Sequence, residues 1–175
     1  WFRRAAVQEN ADAQLQLGIL YAANPALAPI AKEALLWLRK AAGRSNAEAQ
    51  YLLAGKYATG QGGAERNDKE AVNWYQQAAR QNHPAAQLEL GNFYASGRGV
   101  SRNDKEAAQW YRKAADQGLA GAQFSLGAMY AAGRGVTASD TDAVQWYRKA
   151  ADQGHAEAQY NLAMRYLNGN GIAAS

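Results

Sequence analysis

The chain of 175 residues contains no cysteine, only three prolines and two histidines, and no long run of apolar residues. The absence of cysteine excludes disulfide bonds, thiolate metal ligands and a cysteine nucleophile. A transmembrane helix needs about 18 or more consecutive apolar residues, and the sequence contains no such run. The first residue is Trp1 rather than Met, so we expect the chain to be a fragment or a processed product.

The remaining composition is that of a globular protein with a mildly basic charge. Hydrophobic residues make up 48% of the sequence, which is enough to bury the core of one domain. The formal net charge is +4 and the pI is about 9.3. This excess does not by itself predict an anionic partner, because basic residues near the ends of helices also have a structural role.

Two sequence markers repeat along the chain with the same period. The Ala-Gln pairs and the tryptophans are both separated by 36, 37, 36 and 36 residues. The extra residue of the second interval lies between Gly62 and Asp68, in a predicted loop where an insertion costs little. A period of this length predicts stacked supersecondary units. The markers are Ala13-Gln14, Ala49-Gln50, Ala86-Gln87, Ala122-Gln123 and Ala158-Gln159, with Trp1, Trp37, Trp74, Trp110 and Trp146.

The first half of each repeat has the pattern of an amphipathic helix, which we name helix A. Counted from each Gln, a Leu at +3, a small residue at +4 and a Tyr at +7 share one helical stripe. Glycine costs about 1 kcal/mol relative to alanine inside a helix, so its recurrence at +4 predicts a close contact with another helix. The small residues are Gly18, Ala54, Gly91, Gly127 and Ala163, and the tyrosines that we assign a structural role are Tyr57, Tyr94 and Tyr130.

The second half of each repeat, helix B, combines one large aromatic residue with small ones. An alanine pair follows four and five residues after each of Trp37, Trp74, Trp110 and Trp146. We interpret these tryptophans as structural residues that pack between helix A and helix B. Replacement of a buried Trp by Ala typically costs about 3–5 kcal/mol.

Cap and turn signals separate the helices. Polar residues that resemble capping boxes precede helix B, namely Asn67 with Glu70, Asn103 with Glu106 and Ser139 with Asp142. Gly-Arg-Gly at 97–99 and at 133–135 connects helix A to helix B, whereas Gly118 and Gly154 follow the end of helix B. Each repeat is therefore predicted to be a helix pair.

The residues of these patterns resemble a known family. The string Ala-Gln-x-x-Leu-Gly-x-x-Tyr, then Gly-x-Gly-Val and Trp-Tyr-Arg-Lys-Ala-Ala-x-Gln-Gly, is similar to the Sel1-like repeat, a relative of the tetratricopeptide repeat. The resemblance implies an all-α fold, a right-handed α-solenoid of stacked antiparallel helix pairs with a concave inner face. It also implies a bacterial adaptor or scaffold, for which we expect the periplasm or cell envelope. The residues themselves indicate no cofactor and no metal.

On this basis we predict that residues 1–175 form a single solenoid. The predicted elements are the end of a helix B at 1–7, repeats at about 11–43, 47–80, 84–116 and 120–152, and a final helix A at 156–168. The chain then starts and stops within a repeat, so we expect the intact protein to continue at one or both ends.

Helix A positions that vary between repeats predict the partner-binding surface. Positions +2, +5, +6 and +9 from each Gln share the face opposite the Leu stripe. In related repeats helix A lines the concave surface, so we expect this face to bind another protein or peptide. The alternative is that curvature buries the apolar members between neighbouring A helices. The candidates are Gln16, Ile19, Leu20, Leu52, Lys56, Glu89, Asn92, Phe93, Ser125, Met129, Asn161, Met164 and Arg165.

Other groups of residues have structural explanations. Basic pairs such as Arg112-Lys113 recur in helix B and could form an outer ridge for nucleic acid or anionic lipid. However, cations near a helix C-terminus also complement its dipole. His83 and His155 lie 72 residues apart, which is two repeats, so we interpret them as turn caps rather than ligands of one metal. No combination of residues typical of a catalytic site is evident.

The sequence therefore favours a non-catalytic protein- or peptide-binding scaffold, with no nucleic-acid partner. Three alternatives stay open. They are an envelope protein that binds or hydrolyses cell-wall or β-lactam-like ligands, an immunity protein to a secreted toxin, and a protein that binds anionic surfaces through its basic ridge. The family members that act on β-lactams are cysteine-rich, so the absence of cysteine disfavours the first of these.

Overall fold

The structure, a computed structural model, describes residues 2–8, 10–22 and 30–169. Within these ranges the fold is all-α, as predicted, and the even-numbered helices are the A helices of the sequence pattern. Trp1, residues 23–29 of the first predicted repeat and residues 170–175 lie outside the described residues. The helices are α1 (Phe2–Val7), α2 (Ala11–Ala22), α3 (Ile30–Gly43), α4 (Ala47–Thr59), α5 (Asp68–Arg80), α6 (Pro84–Ser96), α7 (Asp104–Asp116), α8 (Ala120–Ala132), α9 (Asp140–Asp152) and α10 (Ala156–Leu167).

The B helices α5, α7 and α9 begin at the predicted polar caps. In α7 the side chain of Asn103 accepts a hydrogen bond from the backbone N–H of Glu106 at 3.1 Å. The backbone N–H of Asn103 donates to the carbonyl of Tyr94 at 2.9 Å, so it is bonded to the preceding helix A instead of to the Glu106 side chain. Asn103 and Glu106 therefore form one of the two hydrogen bonds of a capping box. The corresponding caps are Asn67 on Glu70 and Ser139 on Asp142.

The small residue of helix A lies against helix B, which confirms the predicted close contact. A Cβ atom added at Gly127 would lie 2.8 Å from Cδ1 of Tyr147, and one at Gly91 would lie 2.5 Å from Cε1 of Tyr111. These distances are too short for a side chain. The residue that approaches helix A most closely in these repeats is thus the tyrosine after each tryptophan, which the sequence analysis did not single out.

The tryptophans have a more peripheral place than predicted. Trp37 and Trp146 are buried, whereas Trp74 and Trp110 are only half-buried. The Nζ atom of Lys113 lies 4.2 Å from the centroid of the Trp110 ring, in a cation–π contact. Equivalent contacts join Lys40 to Trp37 and Lys149 to Trp146. The expectation that every Trp fills the space between the helices is therefore wrong for Trp74 and Trp110, because part of each ring remains in contact with solvent.

The glutamine of each Ala-Gln pair forms hydrogen bonds with neighbouring helices, and Gln123 bonds both the preceding helix B and the following one. Gln123 is buried, its Nε2 donates to the carbonyl of Ala115 at 3.2 Å, and its Oε1 accepts from Gln153 at 2.8 Å. Both ends of the buried amide are satisfied, as burial requires. The same Oε1 contact joins Gln117 to Gln87 at 2.7 Å and Gln81 to Gln50 at 2.8 Å.

The chain comprises two compact units. One contains residues 1–86 and 98–100, and the other contains residues 87–97 and 101–175. In the first unit Leu35, Leu38 and Leu53 belong to one apolar cluster. In the second unit Tyr111, Leu126, Met129 and Trp146 share another. Each unit thus has its own core beneath the helix A residues considered next.

Candidate partner-binding surfaces

In the first unit the predicted binding stripe is partly accessible. Ile19 and Leu20 of α2 are 38% and 57% exposed, which is unusual for large apolar side chains. Gln16 is also exposed, whereas Leu52 and Lys56 of α4 are half-buried. Leu52 packs against the apolar cluster of this unit. Ile19 and Leu20 therefore offer apolar contact area on α2, beside the polar side chain of Gln16.

In the second unit two of the candidates are core residues. Phe93 is 2% exposed and Met129 is 4% exposed. Met129 belongs to the cluster that contains Leu126 and Trp146. The expectation that these two side chains are accessible to a partner is wrong, and for them the alternative of burial is correct. Their large apolar side chains gain more from packing inside the array than from a solvated surface.

The polar candidates of the second unit are held by tyrosines of helix B. The hydroxyl of Tyr111 donates to Oδ1 of Asn92 at 2.8 Å, and Nδ2 of Asn92 lies 3.4 Å from Oε2 of Glu89. Burial raises the pKa of Tyr111 to about 12, so its hydroxyl keeps the proton that it donates. Burial also raises the pKa of Tyr147, against the effect of a hydrogen bond with Asn161. The tyrosine rings are core residues whose hydroxyl groups orient the amides on the A helices.

The other candidates of this unit lie on α8 and α10. Ser125 is half-buried, and its hydroxyl donates to the carbonyl of Gly121 at 2.9 Å. Met164 is 39% exposed, whereas Arg165 is ion-paired with Asp140. Glu89, Asn92, Ser125 and Asn161 are thus the half-buried polar candidates of this unit, with Met164 as its accessible apolar candidate.

The arginines of the basic pairs in helix B contact the next helix A. Arg39 donates to the hydroxyl of Tyr57 at 2.8 Å, and its guanidinium lies 5.7 Å from the centre of that ring. Arg112 and Arg148 make the same hydrogen bond, to Tyr130 and Tyr166 respectively. These arginines tie successive repeats together, so their recurrence has a structural cause in addition to the helix dipole.

The two histidines cap helices, as the sequence predicts. Nδ1 of His83 accepts from the N–H of Ala86 at 3.2 Å, and the ring stacks on Tyr51 with 4.8 Å between the centres. His155 caps α10 and stacks on Phe124 in the same way. Across the described residues, no group of three or more His, Asp or Glu side chains could hold a metal ion. No helix in these ranges combines the length and the apolar character needed to cross a membrane.

An ion pair between repeats was not predicted from the sequence. Arg98, in the turn between α6 and α7, donates to both carboxylate oxygens of Asp68, at 2.7 and 3.3 Å. Hydrogen bonds from Arg98 and then from Arg66 lower the pKa of Asp68. In the second unit Arg134 binds Asp104 in the same way. The signal was present in the sequence, since Arg and Asp recur at matching places in successive repeats.

The repeats match a known family along almost the whole chain. The family profile described as Sel1 repeat matches residues 11–46, 47–83, 84–119, 120–155 and 156–175. A search of curated proteins finds no match. Among solved structures, the chain is similar to a protective antigen present in uropathogenic Escherichia coli strains, which displays an SLR fold. That protein is 36% identical with a TM-score of 0.93, and the match covers 98% of this chain and 36% of the other.

Two further solved structures support the fold. A Sel1 repeat protein from Oxalobacter formigenes is 39% identical with a TM-score of 0.88, and the match covers 96% of this chain and 69% of that one. The Helicobacter pylori cysteine rich protein B is 24% identical with a TM-score of 0.60, covering 78% and 97% respectively, and shares the fold alone. The chain belongs to the Sel1 repeat family and has the all-α repeat solenoid fold of these proteins.

Proposed function

We propose that the chain is a non-catalytic scaffold that binds another protein or peptide through the exposed faces of its A helices. Sel1 repeat proteins are generally protein-interaction scaffolds. The observation that carries the proposal is the hydrogen bond from Tyr111 to Asn92, with the similar pair Tyr147 and Asn161. Core tyrosines thereby fix polar side chains on the A helices of the second unit.

Fixed amide groups favour an extended peptide as the partner. A peptide presents a backbone carbonyl or N–H at every residue, and a carboxamide can bond either group. Because Tyr111 donates to Oδ1 of Asn92, the amide orientation is set before a partner arrives. A side chain that is already ordered loses less conformational entropy on binding, which strengthens the contact. The binding set in the second unit is then Glu89, Asn92, Ser125, Asn161 and Met164, without Phe93 and Met129.

Apolar contact is supplied by the first unit. Ile19 and Leu20 are exposed on α2, and Gln16 lies on the same helix. Neighbouring apolar side chains that are exposed together mark an interface more often than single exposed ones do. We therefore propose that α2 binds apolar groups of a partner by itself, independently of the polar residues of the second unit.

The charged groups support a scaffold rather than an enzyme. Asp68 and Asp104 have lowered pKa values because arginines bind them, and both ion pairs join successive repeats. His83 and His155 are occupied as helix caps. A perturbed pKa points to catalysis only where the group lies free in a cleft, and these groups are structural.

The test is affinity capture from a lysate of the source organism, followed by measurement of the dissociation constant for each captured protein. An Asn92→Ala, Ser125→Val double variant is compared with the wild type and with a Gln109→Ala, Gln145→Ala control on exposed positions of helix B. Circular dichroism confirms that all three are folded. We expect a partner retained by wild type and control to bind the first variant at least about tenfold more weakly. Equal binding by all three would contradict the proposed surface.

A further inference from the structure

The first repeat differs from the later ones at a buried hydrogen bond. In the later repeats Oε1 of Gln50, Gln87 and Gln123 accepts from a glutamine at the end of the following helix B. Gln14 is the equivalent residue of the first repeat and is 2% exposed. Among the described residues, its Oε1 is the one buried side-chain polar atom without a hydrogen-bond partner. An unsatisfied buried acceptor costs free energy, so a group that fills its place would bind favourably.

The residue that replaces the donor is Arg44. Gln81, Gln117 and Gln153 each come two residues after the alanine pair of helix B, and Arg44 comes two residues after Ala42. The donor of the later repeats is thus a carboxamide, whereas the first repeat has the longer, positively charged Arg44 side chain at the same position.

A cavity of about 490 Å³ lies at the same place in the first unit. Gln14 lines it together with Ala6 and Val7 and the cations Arg39, Lys40 and Arg44. Nε2 of Gln14 donates to the carbonyl of Ala6 at 2.9 Å, which fixes the amide so that the unpartnered atom is the acceptor. Its volume is in the range of small-molecule sites.

Two of the cations are held in place by aromatic residues. Arg39 donates to the hydroxyl of Tyr57, and Nζ of Lys40 lies 4.5 Å from the centre of the Trp37 ring. Helix α3 ends at Gly43, and a helix C-terminus contributes a partial charge of about −0.5. The cations outweigh this partial charge, so the cavity favours an anion. A complete ligand also needs an N–H or O–H donor for Gln14.

We propose that this cavity binds the carboxylate end of an N-acylated amino acid. The carboxylate contacts the cations, the adjacent N–H donates to Oε1 of Gln14, and an apolar side chain packs on Ala6 and Val7. The same chemistry occurs in a free N-acyl amino acid and at the C-terminus of a peptide chain. The site is separate from the helix A faces and does not depend on the scaffold function proposed above.

The test is a nuclear magnetic resonance titration of the ¹⁵N-labelled chain with N-acetyl-leucine up to about 50 mM, well above the dissociation constant of a millimolar site. Two matched probes remove one group each: N-acetyl-leucinamide lacks the carboxylate, and 4-methylpentanoate lacks the N–H. We expect saturable shifts of the Gln14 side-chain amide and the Gly43 backbone amide with N-acetyl-leucine, and at least about tenfold weaker binding of both controls. Equal binding of the three probes, or no shift with any, overturns the proposal.

A longer probe distinguishes the two sources of the ligand. N-acetyl-Ala-Ala-Leu carries the same terminal carboxylate and N–H with two further residues. Binding at least about tenfold tighter than N-acetyl-leucine assigns the site to peptide C-termini. Equal binding assigns it to free acyl amino acids. Both results support the proposed chemistry.

Substitution of Arg44 tests the site through one of its cations. Arg44→Gln supplies the donor of the later repeats, whereas Arg44→Met loses the same Arg44 contacts without supplying a donor. We expect Arg44→Gln to melt about 2–4 °C above Arg44→Met. Both variants should bind N-acetyl-leucine at least about tenfold more weakly than the wild type. Unchanged binding by Arg44→Gln shows that the unpartnered acceptor does not form a ligand site.

Discussion

Arg134, in the turn between α8 and α9, donates to both carboxylate oxygens of Asp104 at the start of α7, at 2.9 and 3.4 Å. Arg102, two residues before Asp104, donates to the same carboxylate at 2.9 Å. One acid thus binds two arginines from successive repeats. Hydrogen bonds from Arg134 and then from Arg102 lower the pKa of Asp104 well below its usual range.

This ion pair predicts a loss of stability in acid. A carboxyl group whose pKa is lower in the folded state stabilises the protein above its unfolded pKa, and this stabilisation is lost as the pH falls towards the folded pKa. Asp68 and Asp104 both have this property, with an ordinary pKa of 3.8. We expect the melting temperature to decrease as the pH falls below about 4. Thermal unfolding of wild type and Asp104→Asn between pH 7 and pH 2 measures this, and the variant should show a smaller decrease. Parallel curves would mean that Asp104 does not contribute.

Gly135, in the turn that carries Arg134, allows a prediction of how Gly→Ala substitutions change the free energy of unfolding. Gly135 and Gly118 both have positive φ values, 67° and 89°. A Cβ at Gly135 would overlap the carbonyl of Asp104, whereas one at Gly118 meets nothing within 4 Å. Gly118→Ala should cost about 1–2 kcal/mol for the left-handed backbone alone. Gly135→Ala should cost about 1–3 kcal/mol more for the overlap. Urea unfolding of both variants measures the difference, and equal free energies would show that the turn can move away from α7.

Burial of Phe93 predicts that its replacement by a polar residue is strongly destabilising. Its exposed fraction is 2%, so Phe93→Ser removes a core side chain and introduces a hydroxyl group. We expect a loss of about 3–5 kcal/mol in the free energy of unfolding. Ser125→Ala, which changes a half-buried residue of α8, is the control and should cost about 1 kcal/mol or less. A small effect of Phe93→Ser would instead place this residue on an accessible surface.

Much of the fold could be predicted from the sequence, because the same helix, cap and turn patterns recur in each repeat. The period, the caps at Asn67 and Asn103, and the close contact at Gly91 were all predicted correctly. The binding face was predicted less well. Phe93 and Met129 occupy variable positions of helix A, and a single helix cannot show that its neighbours cover these positions. Variation between repeats therefore identifies residues without a common partner, and this class contains core residues as well as exposed ones.

Side-chain contacts between helices were the hardest feature to predict from the sequence. Gln123 was recognised as a periodic marker, yet its bond with Gln153 depends on how two helices stack. The sequence analysis explained Arg112 by an outer basic ridge or by the helix dipole, and did not predict its hydrogen bond to Tyr130 of the next repeat. Each contact joins residues 18 to 30 positions apart, as with Arg112 and Tyr130 or Gln123 and Gln153. Helical periodicity within one segment carries no information at that separation.

Adjacent aromatic residues in α7 give a final prediction. Tyr111 is buried at 5% exposure and lies against Gly91, whereas Trp110 is half-buried beneath Lys113. Removal of a buried aromatic side chain costs about 3–5 kcal/mol, and a side chain that retains solvent contact gains less from packing. We expect Tyr111→Ala to lower the free energy of unfolding by about 3–5 kcal/mol and Trp110→Ala to lower it by roughly half as much. Urea unfolding of both variants, with Gln109→Ala as the exposed control, measures the order. A larger loss for Trp110→Ala would show that the tryptophan, as the sequence alone indicates, is the main residue packed between helix A and helix B.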